Sequence, residues 1–138
     1  MAVGKPNSLY EELYERIVER YRGLRNLKIA GFVSEEEKSE ILSRSWILCL
    51  PSIREGLPIA FLEALAHKCT LLSSVNPDNL VKKYSYWTEE DDFENGLRLL
   101  LEYQKFRALG EGGYRHVKKF HSLGSLINKL IIVLEGGC

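Results

Sequence analysis

Pro51-Ser-Ile-Arg-Glu-Gly-Leu-Pro-Ile-Ala-Phe-Leu-Glu-Ala-Leu-Ala66 is the stretch on which the fold turns. Its second half, Ile59 to His67, is apolar almost all round and therefore predicts a buried helix. Pro58 stands where a helix favours proline, at its first residue. Immediately upstream, Trp46-Ile-Leu-Cys-Leu50 is an unbroken apolar run of strand length. Immediately downstream, Cys69 to Ser74 is another. Such runs predict strands buried on both faces, as in a parallel sheet.

Outward from this centre the alternation continues. Leu27-Lys-Ile-Ala-Gly-Phe-Val33 predicts a short strand, and Ser34-Glu-Glu-Glu37 a capping box that opens a helix through Ile41 and Leu42. Ser8-Leu9-Tyr10-Glu11 is a similar box before an amphipathic helix carried by Leu9, Leu13, Ile17, Tyr21 and Leu24. Asn76-Pro77-Asp78-Asn79 is a turn, and Thr88-Glu-Glu-Asp91 starts a helix carried by Phe93, Leu97, Leu100 and Leu101. Further helices are expected over about Lys105–Phe120 and Leu123–Leu134. Strands alternating with helices predict an α/β fold, a Rossmann-like, doubly wound parallel sheet. Ligands of that architecture bind at the carboxyl ends of the strands, so the loops after Phe32, Leu50 and Leu72 are the ones to watch.

In the central stretch Glu63 is the only ionisable residue of the helix's first two turns. A carboxylate in apolar surroundings is costly, so it must reach a polar partner or a pocket. Glu55 lies in the loop just before the helix, Gly56 lets a backbone approach a ligand, and the helix start offers free N–H groups to an anion. These features fit a pocket for a polyhydroxylated anion, with one carboxylate at its lip and one deeper. They equally fit a fold in which Glu63 caps or pairs internally and Glu55 is solvated.

The bulk numbers exclude several classes. At 138 residues the chain suits one domain, and 45% apolar with 28% charged residues is an ordinary globular composition. Nineteen basic and nineteen acidic residues cancel, which gives no electrostatic case for nucleic acid or an anionic membrane. The apolar runs fall short of the roughly 18–20 residues of a membrane span, and Met1-Ala2-Val3-Gly4-Lys5-Pro6 has no signal core. A cytoplasmic location is the expectation. Cys49, Cys69 and Cys138 lack metal-site or redox spacing, and read as reduced thiols, the first two within the core. His67, His116 and His121 lie too far apart in sequence to suggest a site, and His67 suits the end of its helix. Tyr84, Tyr86 and Trp87 read as packing at the sheet edge, with a sugar-stacking platform as the alternative. Arg54 is either a phosphate contact or a solvated loop residue.

The string Pro-Ser-x-x-Glu-Gly-x-Pro-x-x-x-x-Glu-Ala-x-Ala, with seven residues between Glu55 and Glu63, resembles group 1 (family 4) of the retaining glycosyltransferases. It is similar to their C-terminal, donor-binding lobe of the GT-B fold. The likeness continues through Leu71-Leu-Ser-Ser-Val-Asn-Pro-Asp78 and Asp91-Asp-Phe-Glu-Asn-Gly-Leu97. The resemblance implies transfer of a sugar from a nucleoside diphosphate to an acceptor hydroxyl with retention of configuration. It gives Glu55 the catalytic place, at the donor sugar's hydroxyls. It gives Glu63 the ribose diol, Gly56 and Leu57 the sugar or diphosphate oxygens through their backbone, and Ser52 a place near the nucleotide. Gly31, Phe32 and Val33 match the segment that borders the base. No cofactor and no metal are implied; the donor is a substrate.

The sequence also departs from that family. Val3-Gly4 aligns with the end of the second strand, so the Arg and Lys that clamp the diphosphate have no counterpart, and Lys5 does not inherit the role. Lys68 and Thr70 stand where glycine and proline are usual, and no acceptor lobe is expected within these 138 residues. The expected division is a nucleotide-sugar-binding lobe over residues 1–122 and a C-terminal helix over 123–138. A sheet incomplete at its N-terminal strands must bring Leu27–Val33 beside Trp46–Leu50, or have its edge covered by another chain. A homodimer or a separate acceptor-lobe chain is therefore expected, with the chain alone inactive. The alternative is a non-catalytic module that binds nucleotide sugar or keeps the fold for assembly; a sugar-phosphate epimerase of similar shape is a third reading.

Overall fold

The computed structural model of the chain describes residues 1–2, 8–52, 56–88 and 92–135. The backbone forms two compact units, Met1–Lys38 and Ser39–Cys138.

In the first unit a 3-10 turn, Ser8–Tyr10, leads into α1, Glu11–Tyr21. The helix begins later than the Ser8 box predicts, and its N-cap, Tyr10, provides no side-chain hydrogen bond. The stripe Leu9, Leu13, Ile17, Tyr21 and Leu24 is exposed. Among the described residues the strand expected over Leu27–Val33 is reduced to one parallel bridge between Ile29 and Ala2. Ala2 N–H donates to Lys28 O at 2.7 Å and Ala30 N–H to Ala2 O at 2.9 Å. Val3, Gly4 and Lys5, which follow Ala2, lie outside the described residues. The second capping box forms as the sequence predicts: Ser34 N–H donates to Glu37 Oε2 at 2.8 Å, and Glu37 N–H to Ser34 Oγ at 3.2 Å. It opens α2, Glu35–Ser43.

The second unit is built on three parallel strands in the order β1-β2-β3: Ile47–Leu50, Thr70–Ser73 and Tyr86–Trp87. Ile47 pairs with Thr70 and Leu50 with Ser73; Leu72 pairs with Tyr86. Between the strands run α3, Ile59–Ala66, and α4, Leu80–Tyr84; after them come α5, Phe93–Glu102, α6, Lys105–Phe120, and α7, Leu123–Glu135. This is a Rossmann-like α/β fold with fewer strands than the usual six. Among the described residues β1 is an edge strand of this sheet. That edge position explains a correction: β1 is half-buried with Cys49 exposed, whereas the central β2 is buried throughout.

Alternation along β2 divides the core into two layers. Leu71 joins Phe61, Ala64, Leu65, Leu80 and Val81 on one face. Leu72 turns to the other, where Gly96 of α5 comes so close that a Cβ there would lie 2.6 Å from Leu72 Cδ1. Cys69, at the entry to β2, is buried as expected, and its thiol points at Leu42 O (3.1 Å) and Ser45 O (2.9 Å). Burial pushes that thiol's pKa up to about 11.

The helix α3 begins one residue after Pro58, which serves as its N-cap. It is not buried all round. Phe61, Ala64 and Leu65 face the core, while Ile59 and Ala66 are exposed on the opposite stripe. Its C-terminus is a Schellman motif: Cys69 N–H donates to Ala64 O (2.9 Å), Lys68 N–H to Leu65 O (3.0 Å), and Lys68 takes φ of 62°. α5 starts at Phe93, with Asp92 accepting from Asn95 N–H; Glu89, Glu90 and Asp91, read as its start, lie outside the described residues. α4 and the short β3 are additions that the sequence reading did not separate from a turn and an aromatic cluster. Among the described residues, no helix is long and apolar enough to cross a membrane.

Candidate functional site

The carboxyl ends of β1 and β2 are stitched together by serine hydroxyls. Ser73 O–H donates to Leu50 O at 2.8 Å. One residue further on, Ser74 O–H donates to Ser52 O at 2.8 Å and its oxygen accepts from Ser52 N–H at 3.2 Å. Trp87 closes the row from β3, its indole N–H donating to Ser74 O at 3.2 Å. Lys82 sits over the same indole, 3.9 Å from the ring centroid. These bonds fix where the two loops leave the sheet, at the end where doubly wound folds bind ligands. Ser52 was read from sequence as a loop position near the ligand; Ser74 and Trp87, which hold it there, were not. The run Leu71-Leu-Ser-Ser74 carried the only hint, a change from apolar to hydroxyl residues at the strand's end.

Glu55, the residue placed at the catalytic position, lies outside the described residues, as does Arg54. Description resumes at Gly56 and Leu57, both exposed, just before α3. A Cβ on Gly56 would meet nothing within 4 Å, so no protein atom demands glycine there. The N–H groups of the first turn of α3 then point toward this loop, as at any helix start.

Glu63 sits one turn further on, half-buried, on the outward stripe of α3 with Ile59 and Ala66. Its side chain is thus accessible from outside the core rather than sunk within it. Its carbonyl accepts from His67 N–H at 3.2 Å and from His67 Nδ1 at 2.9 Å. A carbonyl only accepts, so Nδ1 carries a proton, and Nε2 meets Ser39 Oγ at 2.9 Å. His67 therefore caps the end of α3, as its position in the sequence suggested.

Gly31, Phe32 and Val33 belong to the first unit. Gly31 has φ of 66°, a backbone state natural to glycine, and Phe32 is exposed. Ser52, Gly56, Leu57 and Glu63 belong to the Ser39–Cys138 unit, on the loop after β1 and on α3.

His116 and His121, set aside in the sequence as too distant to matter, meet in space with ring centroids 5.5 Å apart. His116 also lies against Tyr84 (5.0 Å) and Phe120 (4.9 Å), with its Nδ1 3.2 Å from the Tyr84 hydroxyl. A cavity of about 200 Å³ opens beside them, lined also by Leu57, Asp78 and Lys129. Burial lowers the His116 pKa, and the neighbouring His121 and Lys83 charges lower it further. Among the described residues no group of three or more His, Cys, Asp or Glu could hold a metal ion.

Comparison with curated proteins gives no match. The family described as glycosyl transferases group 1 matches residues 2–115, a span that includes the serine-stitched strand ends, α3 and most of α6. Matched over that share of its length, the chain belongs to the group 1 glycosyl transferases.

Proposed function

We propose that this chain is the donor-binding lobe of a retaining glycosyltransferase, which binds a nucleoside diphosphate sugar and needs an acceptor lobe from another chain or segment for transfer. The observation that carries this reading is the placement of Glu63. It is the single carboxylate of a largely apolar helix, half-buried on the outward stripe, one turn from the loop at the carboxyl end of β1. Its two oxygens suit the two hydroxyls of a ribose, each donating one hydrogen bond. The exposed Gly56-Leu57 backbone and the start of α3 suit the diphosphate oxygens, because first-turn N–H groups and the helix dipole both favour an anion. Ser52, held by Ser74, borders the nucleotide. Glu55 is assigned to the donor sugar on the resemblance alone. No metal or other cofactor enters the reaction in this reading. Stabilising the departing diphosphate and an oxocarbenium-like centre is electrostatic work done by groups already in place.

Calorimetry with a panel of UDP- and GDP-sugars tests the proposal. One donor is expected to bind, and Glu63→Ala to weaken it by about 2–3 kcal/mol, the loss of a bidentate charge-assisted contact. An affinity unchanged by Glu63→Ala removes the residue from the site and the reading with it. Donor hydrolysis by the chain alone would make it an enzyme in its own right; binding without turnover would leave it a lobe or a non-catalytic binding module.

A further inference from the structure

The corner where α6 ends and α7 begins carries an excess of positive charge that the fold does not use. Lys83 lies over the Tyr84 ring at 5.3 Å, and Lys119 and Lys129 lie over Phe120 at 5.1 and 5.7 Å. Those two rings flank His116, which in turn lies against His121 at a tilt. Three ammonium groups thus surround one cluster of tilted rings that includes two imidazoles. Among the described residues, none of these lysines makes an ion pair with a carboxylate.

The end of α6 explains part of this, since cations suit a helix C-terminus and Lys129 Nζ donates to Phe120 O at 3.4 Å. A helix end is worth only about half an elementary charge, however, and the start of α7 beside it contributes the opposite sign. The lysines alone exceed that need several-fold. The cavity of about 200 Å³ sits against this cluster, with Asp78, exposed, the one acid in its lining. Its size is below the roughly 300–1,000 Å³ of pockets that take whole small molecules, and suits one compact charged group. Leu57 forms part of the same lining, so the cavity adjoins the loop assigned above to the donor.

We propose that the cavity between His116, His121 and Lys129 binds a phosphate group. This rests on the donor-binding reading only for the identity of the ligand, since the phosphate belongs either to the donor's diphosphate or to a second, separate molecule. Lys129 contributes a fixed charge, and the imidazoles contribute donors that strengthen on protonation. His116 faces Lys83 and Tyr84 from α4, His121 from the end of its own helix, Lys129 from α7 and Asp78 from the turn before α4. Burial, and after it the charges of His121 and Lys83, disfavour a protonated His116 until an anion arrives. Phosphate binding is therefore expected to tighten as pH falls through the imidazole range, and to raise the His116 titration midpoint.

Inorganic pyrophosphate is the probe, read by NMR titration of the histidine ring protons in the whole chain. The expected result is a midpoint for His116 raised by about one pH unit on saturation, with His121 also shifted and His67 unmoved. Lys129→Gln and His121→Gln should each weaken pyrophosphate by about tenfold, the loss of one charge-assisted contact. Imidazole signals unmoved by pyrophosphate would overturn the proposal without any variant. Competition by UDP assigns the cavity to the donor diphosphate; simultaneous binding assigns it to a separate phosphate-bearing molecule. If Glu63→Ala weakens UDP-sugar while Lys129→Gln leaves UDP and pyrophosphate unchanged, the donor reading stands and this proposal fails. If pyrophosphate binds as described and Glu63→Ala changes nothing, the reverse holds.

Discussion

Lys68 shows how a residue with a side chain is accommodated where a helix end favours glycine. It is the residue after the C-cap of α3, in the left-handed region at φ of 62°, where glycine carries no Cβ penalty. A salt bridge to Glu111 at 3.0 Å between two exposed side chains offsets little of that strain. Lys68→Gly is expected to be more stable than Lys68→Ala by about 1 kcal/mol, because both lose the ion pair and only alanine keeps the strained Cβ. Urea denaturation of the two variants decides it, and equal midpoints would show that the turn carries no strain. The sequence placed this residue correctly and could not reveal its backbone angle. The same limit applies to Glu63: its spacing from Glu55 was readable, whereas the side of α3 on which it lies depends on where β2 and α6 pack.

Helices were the most legible elements, and the reason is their periodicity. α6 follows its predicted bounds, Lys105–Phe120, and the Ser34–Glu37 box forms bond for bond. The misses are short. α4 and β3 span five and two residues, too few to show any period, and each is fixed by tertiary bonds. Thr70 O–H donates to Tyr84 O at 3.0 Å, and Leu71 N–H to Ser85 Oγ at 2.8 Å. Leu27–Val33 failed in the opposite direction: it has strand-forming residues, but among the described residues its one bridge partner is Ala2. Glycines within helices provide a test at this scale. A Cβ on Gly110 would lie 2.0 Å from the Lys68 carbonyl oxygen, whereas one on Gly124 would meet nothing within 4 Å. Gly110→Ala should therefore destabilise by about 3 kcal/mol or prevent folding, through overpacking. Gly124→Ala should stabilise by up to about 1 kcal/mol, through helix propensity. Thermal melts of the pair check the prediction, and a benign Gly110→Ala would mean that α6 does not sit on the α3 turn.

Across the whole chain, burial is distributed unevenly. In the Met1–Lys38 unit no described residue is fully buried, while the Ser39–Cys138 unit holds Phe61, Leu65, Leu71 and Leu72 at 1% exposure or less. Units below about 40 residues rarely hold a core of their own. Hydrogen exchange is expected to show rapid amide exchange through α1 and residues 27–33, with β2 and α3 exchanging most slowly, near the global unfolding limit. Comparable protection in both units would contradict this. The helix α7, which exposes Leu126, Ile127, Leu130, Ile131 and Leu134, was legible in sequence by its period. What covers it was not, since a partner's shape is absent from a single chain's pattern.

The seat of Gly110 and Gly113 on the end of α3 also sets a timetable. Gly113 meets the Leu65 side chain and Gly110 the carbonyl of Lys68, so the central strand is sealed by residues made some forty positions later. While the polypeptide is still emerging from the ribosome, β1, α3 and β2 exist without their lid, and the greasy side of Leu65 faces the crowd. The Ser39–Cys138 unit therefore cannot close its interior until the glycine-bearing helix has left the exit tunnel.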